Sequence, residues 1–293
     1  MRTLAITVLC GLAASPAALA TPDPTALGAS IDRATPKKAN DRDPALVAKA
    51  EILLDRAHVS PGEIDGLDGD NFRNAVRAFQ QVNGLPVSGD LDVTTWGALK
   101  RDGDPILKSY TITLADAAGP FTRAIPSNLE AMARLPGLSY TSAQAELAEK
   151  FHMSPTLLRA LNPRADFARA GTELTVANVP EMLLRSGRPS VEAVPPPNPP
   201  KANNDLPEVT IVVDKPARNV RVYDRDGKFL AFVPATIGSE EKPAPSGDFK
   251  VKGVSWNPKY QYDPKFDGRA FLRSGSSQSA RAQTIPSAWF GST

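Results

Sequence analysis

Cysteine occurs once in the 293 residues, at Cys10, and histidine twice, at His58 and His152. That scarcity excludes an intrachain disulfide framework and any metal centre built from several thiols or imidazoles. No apolar run reaches the roughly 18 residues that span a bilayer, so no membrane span is expected. Neither sign of charge dominates: 34 Lys and Arg stand against 32 Asp and Glu, a net charge of +2. Without a dense basic stripe, no nucleic-acid partner is expected. The apolar fraction of 41% and charged fraction of 23% are those of an ordinary soluble globular protein. At roughly 100–200 residues per domain, the length fits two or three domains. Proline, by contrast, is abundant at 28, and seven of these lie between Pro189 and Pro207. Such a run adopts extended polyproline II, and residues 187–207 read as a semi-rigid linker.

The N-terminus carries Arg2, an apolar stretch from Leu4 to Ala14, and the small-x-small pattern Ala18-Leu19-Ala20. Residues 1–20 therefore read as a secretory signal peptide rather than a membrane helix. A lipid-anchored Cys10 is the weaker alternative, because Leu9 stands where a small residue is wanted. Cleavage after Ala20 would remove the single thiol. Residues 21–42 show no periodicity and read as a flexible leader.

Residues 43–102 carry a helical pattern. Asp43-Pro44 predicts an N-cap followed by proline at the first helical position. Leu46, Val47, Ala50, Leu53, Leu54 and Ala57 then recur at helical spacing. Asp70 or Asn71 is the expected cap of a second helix, with Phe72, Ala75, Val76, Phe79 and Val82 on one face. A third, over Val93 to Leu99, brings in Trp96. Asp65, Asp68 and Asp70 crowd a turn-rich loop, but an EF-hand starting at Asp68 would need an oxygen ligand at Phe72 and glycine at Arg73. Turns and caps, not calcium, account for these residues.

Ile64-Asp65-Gly66, Ala75 to Gln80, Gly84 to Gly89 and Thr95 to Leu99 occur in an order that resembles the peptidoglycan-binding-like three-helix domain. The resemblance implies attachment to cell-wall peptidoglycan. Since the apolar residues form the core, the ligand surface is expected from Asp65, Gln80 and Gln81.

Residues 107–180 read as a second module. Tyr110 to Leu114 alternates like a strand, and Ser127 to Arg134 reads as a short helix. One helix carries Leu147, Ala148 and Phe151, and another begins at Ser154-Pro155; a turn at Gly171 then leads into a strand. Leu161-Asn162-Pro163 and Gly171-Thr172-x-Leu174 make this βααβ order resemble a LysM module, which implies binding to N-acetylglucosamine-containing glycans. A small helical spacer with the same core is the other reading. His152 lacks a second ligand at metal spacing and reads as structural, as does His58.

Beyond the linker the period becomes two. Val209 to Val213, Val220 to Tyr223 and Lys228 to Thr236 read as strands, with Asp226-Gly227 as the hairpin turn and Asp248 to Val254 as a fourth strand. Val209-Thr210-Ile211-Val212-Val213, Ala235-Thr236-Ile237-Gly238, Pro243-x-Pro245-x-Gly247-x-Phe249 and Tyr260-x-Tyr262-Asp263-Pro264 resemble the N-terminal half of an L,D-transpeptidase catalytic domain (YkuD-type). The resemblance implies acyl transfer between peptidoglycan stem peptides by a cysteine thiolate with a histidine base. No histidine follows His152 and no cysteine follows Cys10, so no residue takes a catalytic role. Ser239-Glu240-Glu241-Lys242 matches an S-x-x-K string, but it lies between strands rather than at a helix start.

Residues 267–293, with six serines, three arginines and no lysine or glutamate, read as an atypical tail after a partial domain at 208–266. A frame change near Phe266 would account for that, and the chain reads as truncated before its catalytic motif. A half-sheet would leave edges and an apolar face open, so the β segment is expected to fold loosely while the first module folds alone.

The expected fold class is multidomain α+β. It comprises a three-helix peptidoglycan-binding-like domain, a LysM-like βααβ module and a partial, mainly β transpeptidase domain. The expected partners are peptidoglycan stem peptides and glycan strands, outside the cytoplasm, with no cofactor and no metal. Binding without catalysis is the expected function; a dedicated cell-wall binding protein with a vestigial β domain is the alternative.

Overall fold

The computed structural model describes residues 24–38, 41–128, 131–132, 134–135, 139–181, 208–238 and 243–251. The expected signal peptide, proline-rich linker, Ser239 to Lys242 string and tail lie outside those residues. The architecture is mixed α+β, with a helical N-terminal region and a three-stranded antiparallel sheet near the end of the described chain.

The first helix, α1 (Pro24–Arg33), is a correction to the flexible leader expected over 21–42. Among the described side chains of this helix only Ile31 is deeply buried, at 1% exposure, so no apolar stripe marks it in the sequence. Short helices gain most of their stability from tertiary packing. Here α1 lies against α2 (Pro44–Arg56), and Lys49 Nζ donates to the Asp32 carbonyl at 2.6 Å.

Asp43 caps α2 as its sequence predicts, accepting from the N–H of Ala45 at 2.9 Å and of Leu46 at 3.4 Å. Leu46, Val47, Ala50, Leu53 and Leu54 are buried. In α3 (Asp70–Val82) the N-cap is Gly69, with no side-chain bond, so the expected Asp70 or Asn71 cap is corrected. Asp70 is instead the first helical residue, where its charge complements the helix dipole. Asp92 caps α4 (Val93–Leu99) through the Thr95 N–H at 2.7 Å. Trp96 and Leu99 close the core over Phe72, Val76 and Phe79.

Strands β1 (Leu107–Thr111) and β2 (Glu173–Ala177) pair antiparallel, from Leu107↔Ala177 to Thr111↔Glu173. Between them run α5 (Leu114–Ala118), α6 (Ala143–Lys150) and α7 (Pro155–Leu161). The strand expected to reach Leu114 stops at Thr111, because Thr113 and Asp116 form a capping box that starts α5. Asn162 ties the end of α7 to β2: its amide donates to the Leu158 and Thr175 carbonyls at 2.9 and 2.7 Å, and its oxygen accepts from Thr175 N–H at 2.7 Å.

The expected βααβ order is thus corrected by one extra helix, α5; the βααβ unit with this addition and the helical module share one hydrophobic core. They also share a short parallel bridge, in which Ile64 N–H donates to the His152 carbonyl at 2.8 Å and Ser154 N–H to the Ile64 carbonyl at 3.0 Å.

The last sheet has the order β3 (Val209–Asp214), β4 (Asn219–Asp224), β5 (Phe229–Pro234). The Asp-Gly turn signal holds: Asp224 Oδ1 accepts from the N–H of Asp226 and Lys228 at 2.9 and 2.8 Å, and Gly227 takes φ +80°. The expected fourth strand is absent from its described part, residues 248–251, where Phe249 and Val251 are 71% and 74% exposed. Of the sheet edges expected to be open, β3 leaves Ile211, Val212 and Val213 exposed, and only the β5 side differs from the expectation. The β5 edge is closed by the helical module: Phe232 N–H donates to the His58 carbonyl at 2.9 Å, and Ser60 N–H to the Phe232 carbonyl at 2.8 Å. The Phe232 side chain, 1% exposed, enters the shared core.

Candidate functional site

The three residues expected to bind ligand fall in different environments. Asp65 lies in the loop before α3 and is half-buried. Its Oδ1 accepts from Leu67 N–H at 2.8 Å, a local turn. Beneath it Glu51, 1% exposed, accepts from the N–H of Asp65 and Gly66 at 3.1 and 2.8 Å. Burial pushes the Glu51 carboxyl well above its ordinary range, and the two N–H bonds partly oppose that. Gly66 sits at φ +75°, and a Cβ there would stand 2.9 Å from the Pro44 carbonyl oxygen, so the loop requires glycine. Asp68 is taken up by Arg73, at 2.9 and 2.8 Å, and by an ion pair to Arg42. The acidic loop is thus held by internal partners.

Gln80 was expected at the ligand surface and is corrected: it is 0% exposed. Its oxygen accepts from the N–H of Ser88 and Gly89, both at 2.9 Å. Its nitrogen lies 3.1 Å from Ser88 Oγ, 3.0 Å from the Asp90 carbonyl and 2.9 Å from Thr95 Oγ1. A buried amide needs such partners, and these fasten the loop after α3 onto α4. Gln81, the next residue, is exposed. Asp65 lies in the loop before α3 and Gln81 in the last turn of that helix.

Gln81 does, however, meet the sheet. With Ala78 and Val82 it forms one wall of a groove of about 470 Å³, and Arg221, Tyr223, Gly227, Lys228 and Phe229 form the other. Its volume falls among those of small-molecule sites, roughly 300–1,000 Å³. Ala78 and Val82 are one helical turn apart on α3, and Arg221 and Tyr223 share a face of β4. Tyr223 and Phe229 meet edge to face, with ring centroids 6.2 Å apart. Among the described residues no carboxylate lines the groove. A second hollow of about 450 Å³, between α1, α2 and α4, mixes Asp32, Asp102 and Asp104 with Lys49 and Lys100.

Two polar clusters escaped the sequence because their members are far apart in the chain. Asp55, 1% exposed, faces His152 Nδ1 at 3.0 Å through both carboxylate oxygens, joining α2 to the βααβ unit. Burial works to lower the His152 pKa, but the bond and charge of Asp55 outweigh it, and the value is raised. Its Nε2 is buried without a partner. His152 also takes φ +57°, a conformation unusual for a non-glycine residue. In the second cluster, Tyr110 donates to Asp116 Oδ2 at 2.5 Å, and Lys150 donates to Tyr110 at 2.6 Å. Burial opposes ionisation of Asp116, yet the bonds from Tyr110 and Thr113 hold its carboxyl below the usual range. Among the described residues no group of three or more His, Cys, Asp or Glu side chains is placed to hold a metal ion. No helix among them is long and apolar enough to cross a membrane.

Residues 44–99 match the family model described as a putative peptidoglycan binding domain. Residues 208–284 match that of the L,D-transpeptidase catalytic domain. No curated protein matches the chain. The second match corrects one boundary: it continues past Phe266, where the likeness was expected to end, and so removes the reason for supposing a frame change there.

Proposed function

We propose that these residues bind peptidoglycan, and that the sheet belongs to an acyl-transfer domain of the L,D-transpeptidase type. The observation that carries this reading is the pair of family matches on one chain, over 44–99 and 208–284. The docking of β5 against the helical module at Phe232 supports it, because that contact holds the two regions together. The β1–β2 pair with α6 and α7 supplies the parts of a LysM module, with α5 as an additional helix after β1, and the Asn162 tie between α7 and β2 gives the Leu161-Asn162-Pro163 string a structural reason. Glycan binding by that unit follows from this resemblance. Asp65 and Gln81 remain the surface residues through which the helical module would meet its ligand.

Acyl transfer of this kind needs a thiolate with a base at hydrogen-bond distance. Within the 293 residues, cysteine occurs only at Cys10 and the last histidine is His152. The activity carried by these residues is therefore retention on peptidoglycan rather than transfer. Both family matches concern the cell wall, which supports a location outside the cytoplasm, with residues 1–20 read as the export signal.

The test is co-sedimentation of the purified chain with peptidoglycan sacculi, with release of D-alanine followed in the same tubes. Retention without release is expected. Failure to sediment would overturn the binding reading, and D-alanine release would overturn the absence of catalysis.

A further inference from the structure

We propose that the groove between α3 and the β4–β5 hairpin is a binding site for a carboxylate-bearing peptide, the stem peptide of peptidoglycan, with Arg221 and Lys228 as its anion-binding groups. This rests on the peptidoglycan reading and names a site for it. Neither family match assigns it, since it is formed only where the two matched regions meet: Gln81 comes from one and Arg221 from the other.

Three observations carry the inference. The first is charge. Arg221 and Lys228 both line the groove, and among the described residues no acidic one does. The hairpin's own acids are engaged elsewhere: Asp224 Oδ1 accepts two backbone N–H bonds and the exposed Asp226 lies 3.7 Å from Arg225, leaving the hairpin residues 219–229 with three cations against two carboxylates. Neither Arg221 nor Lys228 has an ion pair among the described residues, whereas Arg42, Arg56, Arg73, Lys108 and Lys150 each have one. Two cations without an ion pair beside a concave wall favour an anion, and the planar guanidinium suits a carboxylate in particular.

The second is rigidity. Arg221 pairs across the ladder with Phe232, the residue anchored in the shared core. Its backbone is therefore held against the helical module, and only the exposed Lys228 and Gln81 side chains must be ordered when ligand arrives.

The third is the shape of the lining. Tyr223 and Phe229 stand as an aromatic pair on the hairpin. Arg221 lies roughly 7 Å along β4 from Tyr223, about the length of a dipeptide, and Lys228 precedes Phe229 on the returning strand. Cations thus flank the aromatic pair. Ala78 and Val82 offer apolar contact for alanine-sized side chains, and the Gln81 amide can pair with a peptide bond. A peptide with carboxylates spaced along it matches this arrangement better than a neutral glycan, which would leave both cations unpaired.

The test uses the whole chain and synthetic L-Ala-γ-D-Glu-diaminopimelate as probe, with affinity measured by calorimetry and sacculus co-sedimentation run in parallel. Arg221→Glu/Lys228→Glu is expected to weaken tripeptide binding by about tenfold or more, and added salt to weaken the wild type. Lys38→Glu, at an exposed position away from the groove, should leave the affinity unchanged. If charge reversal disturbs folding, judged by the urea midpoint, Arg221→Gln/Lys228→Gln replaces it with the same expected direction. Unchanged tripeptide affinity in the charge variants, or no tripeptide binding by a wild-type chain that sediments with sacculi, would overturn the groove and leave the broader reading standing. A wild-type chain that binds tripeptide through Arg221 and Lys228 but does not sediment would overturn the broader reading and leave the groove.

Discussion

The helical module makes two joints, and they differ in chemistry. Toward the βααβ unit it offers Ile64 in a parallel bridge, a continuous apolar core and the buried Asp55–His152 pair. Toward the sheet it offers Val59 in a second parallel bridge and a pocket for Phe232. Both use a loop of the helical module as a one-residue strand. The first adds a titratable lock in a dry environment, and the second depends on one aromatic ring. A buried charge pair specifies its geometry strongly but is costly to break. An aromatic plug is tolerant of pH but sensitive to lost volume.

The largest expected effect is at the first joint. Asp55→Ala strips a buried imidazole of its partner and should cost about 4 kcal/mol, read as a shift of the urea midpoint for the whole helical and βααβ body. At the second joint, Phe232→Ala should cost about 3 kcal/mol and act locally. Hydrogen exchange should accelerate across residues 209–234 and stay slow in α2 and α3. If Phe232→Ala instead accelerates exchange in both regions equally, the joints are not separable.

Gln80→Ala lies at neither joint. It should cost about 2 kcal/mol, because the N–H groups of Ser88 and Gly89 lose their acceptor. Sacculus retention under conditions where the variant is folded should be unaffected; a fall in retention with an unchanged urea midpoint would make Gln80 a ligand residue after all.

The smallest effect is pH dependence, and it belongs to the first joint. The raised pKa of His152 means the folded chain holds its proton more tightly than the unfolded chain. The stability it contributes is complete below about pH 6.5 and is lost as pH rises through the folded value. Glu51, also raised, acts in the same direction from the ordinary carboxylate range upward. The urea midpoint should therefore fall between about pH 6 and pH 9, and His152→Gln should flatten that slope. A midpoint that rises over this range would contradict the assignment.

Local signals in the sequence were sufficient for much of the fold. Asp43-Pro44, Ser154-Pro155 and Asp226-Gly227 each act through a neighbour within four positions, and each forms the helix start or turn expected of it. What depended on distant residues was not legible. α1 has one deeply buried residue, and its stability comes from helices encountered later in the chain. His152 and Asp55 are 97 positions apart, so neither announces the other. Gln80 read as surface because glutamine usually is; its burial depends on a loop that folds back over it. The groove followed the same rule, since Gln81 was singled out but its partners Arg221 and Lys228 lie beyond the linker.

The joint at Phe232 decides whether the groove exists, and amide hydrogen exchange at Ser60 and Phe232 in the intact chain tests it most directly. Both amides donate across the joint, at 2.8 and 2.9 Å, and both should exchange far more slowly than in an unstructured peptide and become fast together in Phe232→Ala. Free-peptide rates at both positions, with α3 still protected, would show that the sheet does not dock and that the composite site does not form.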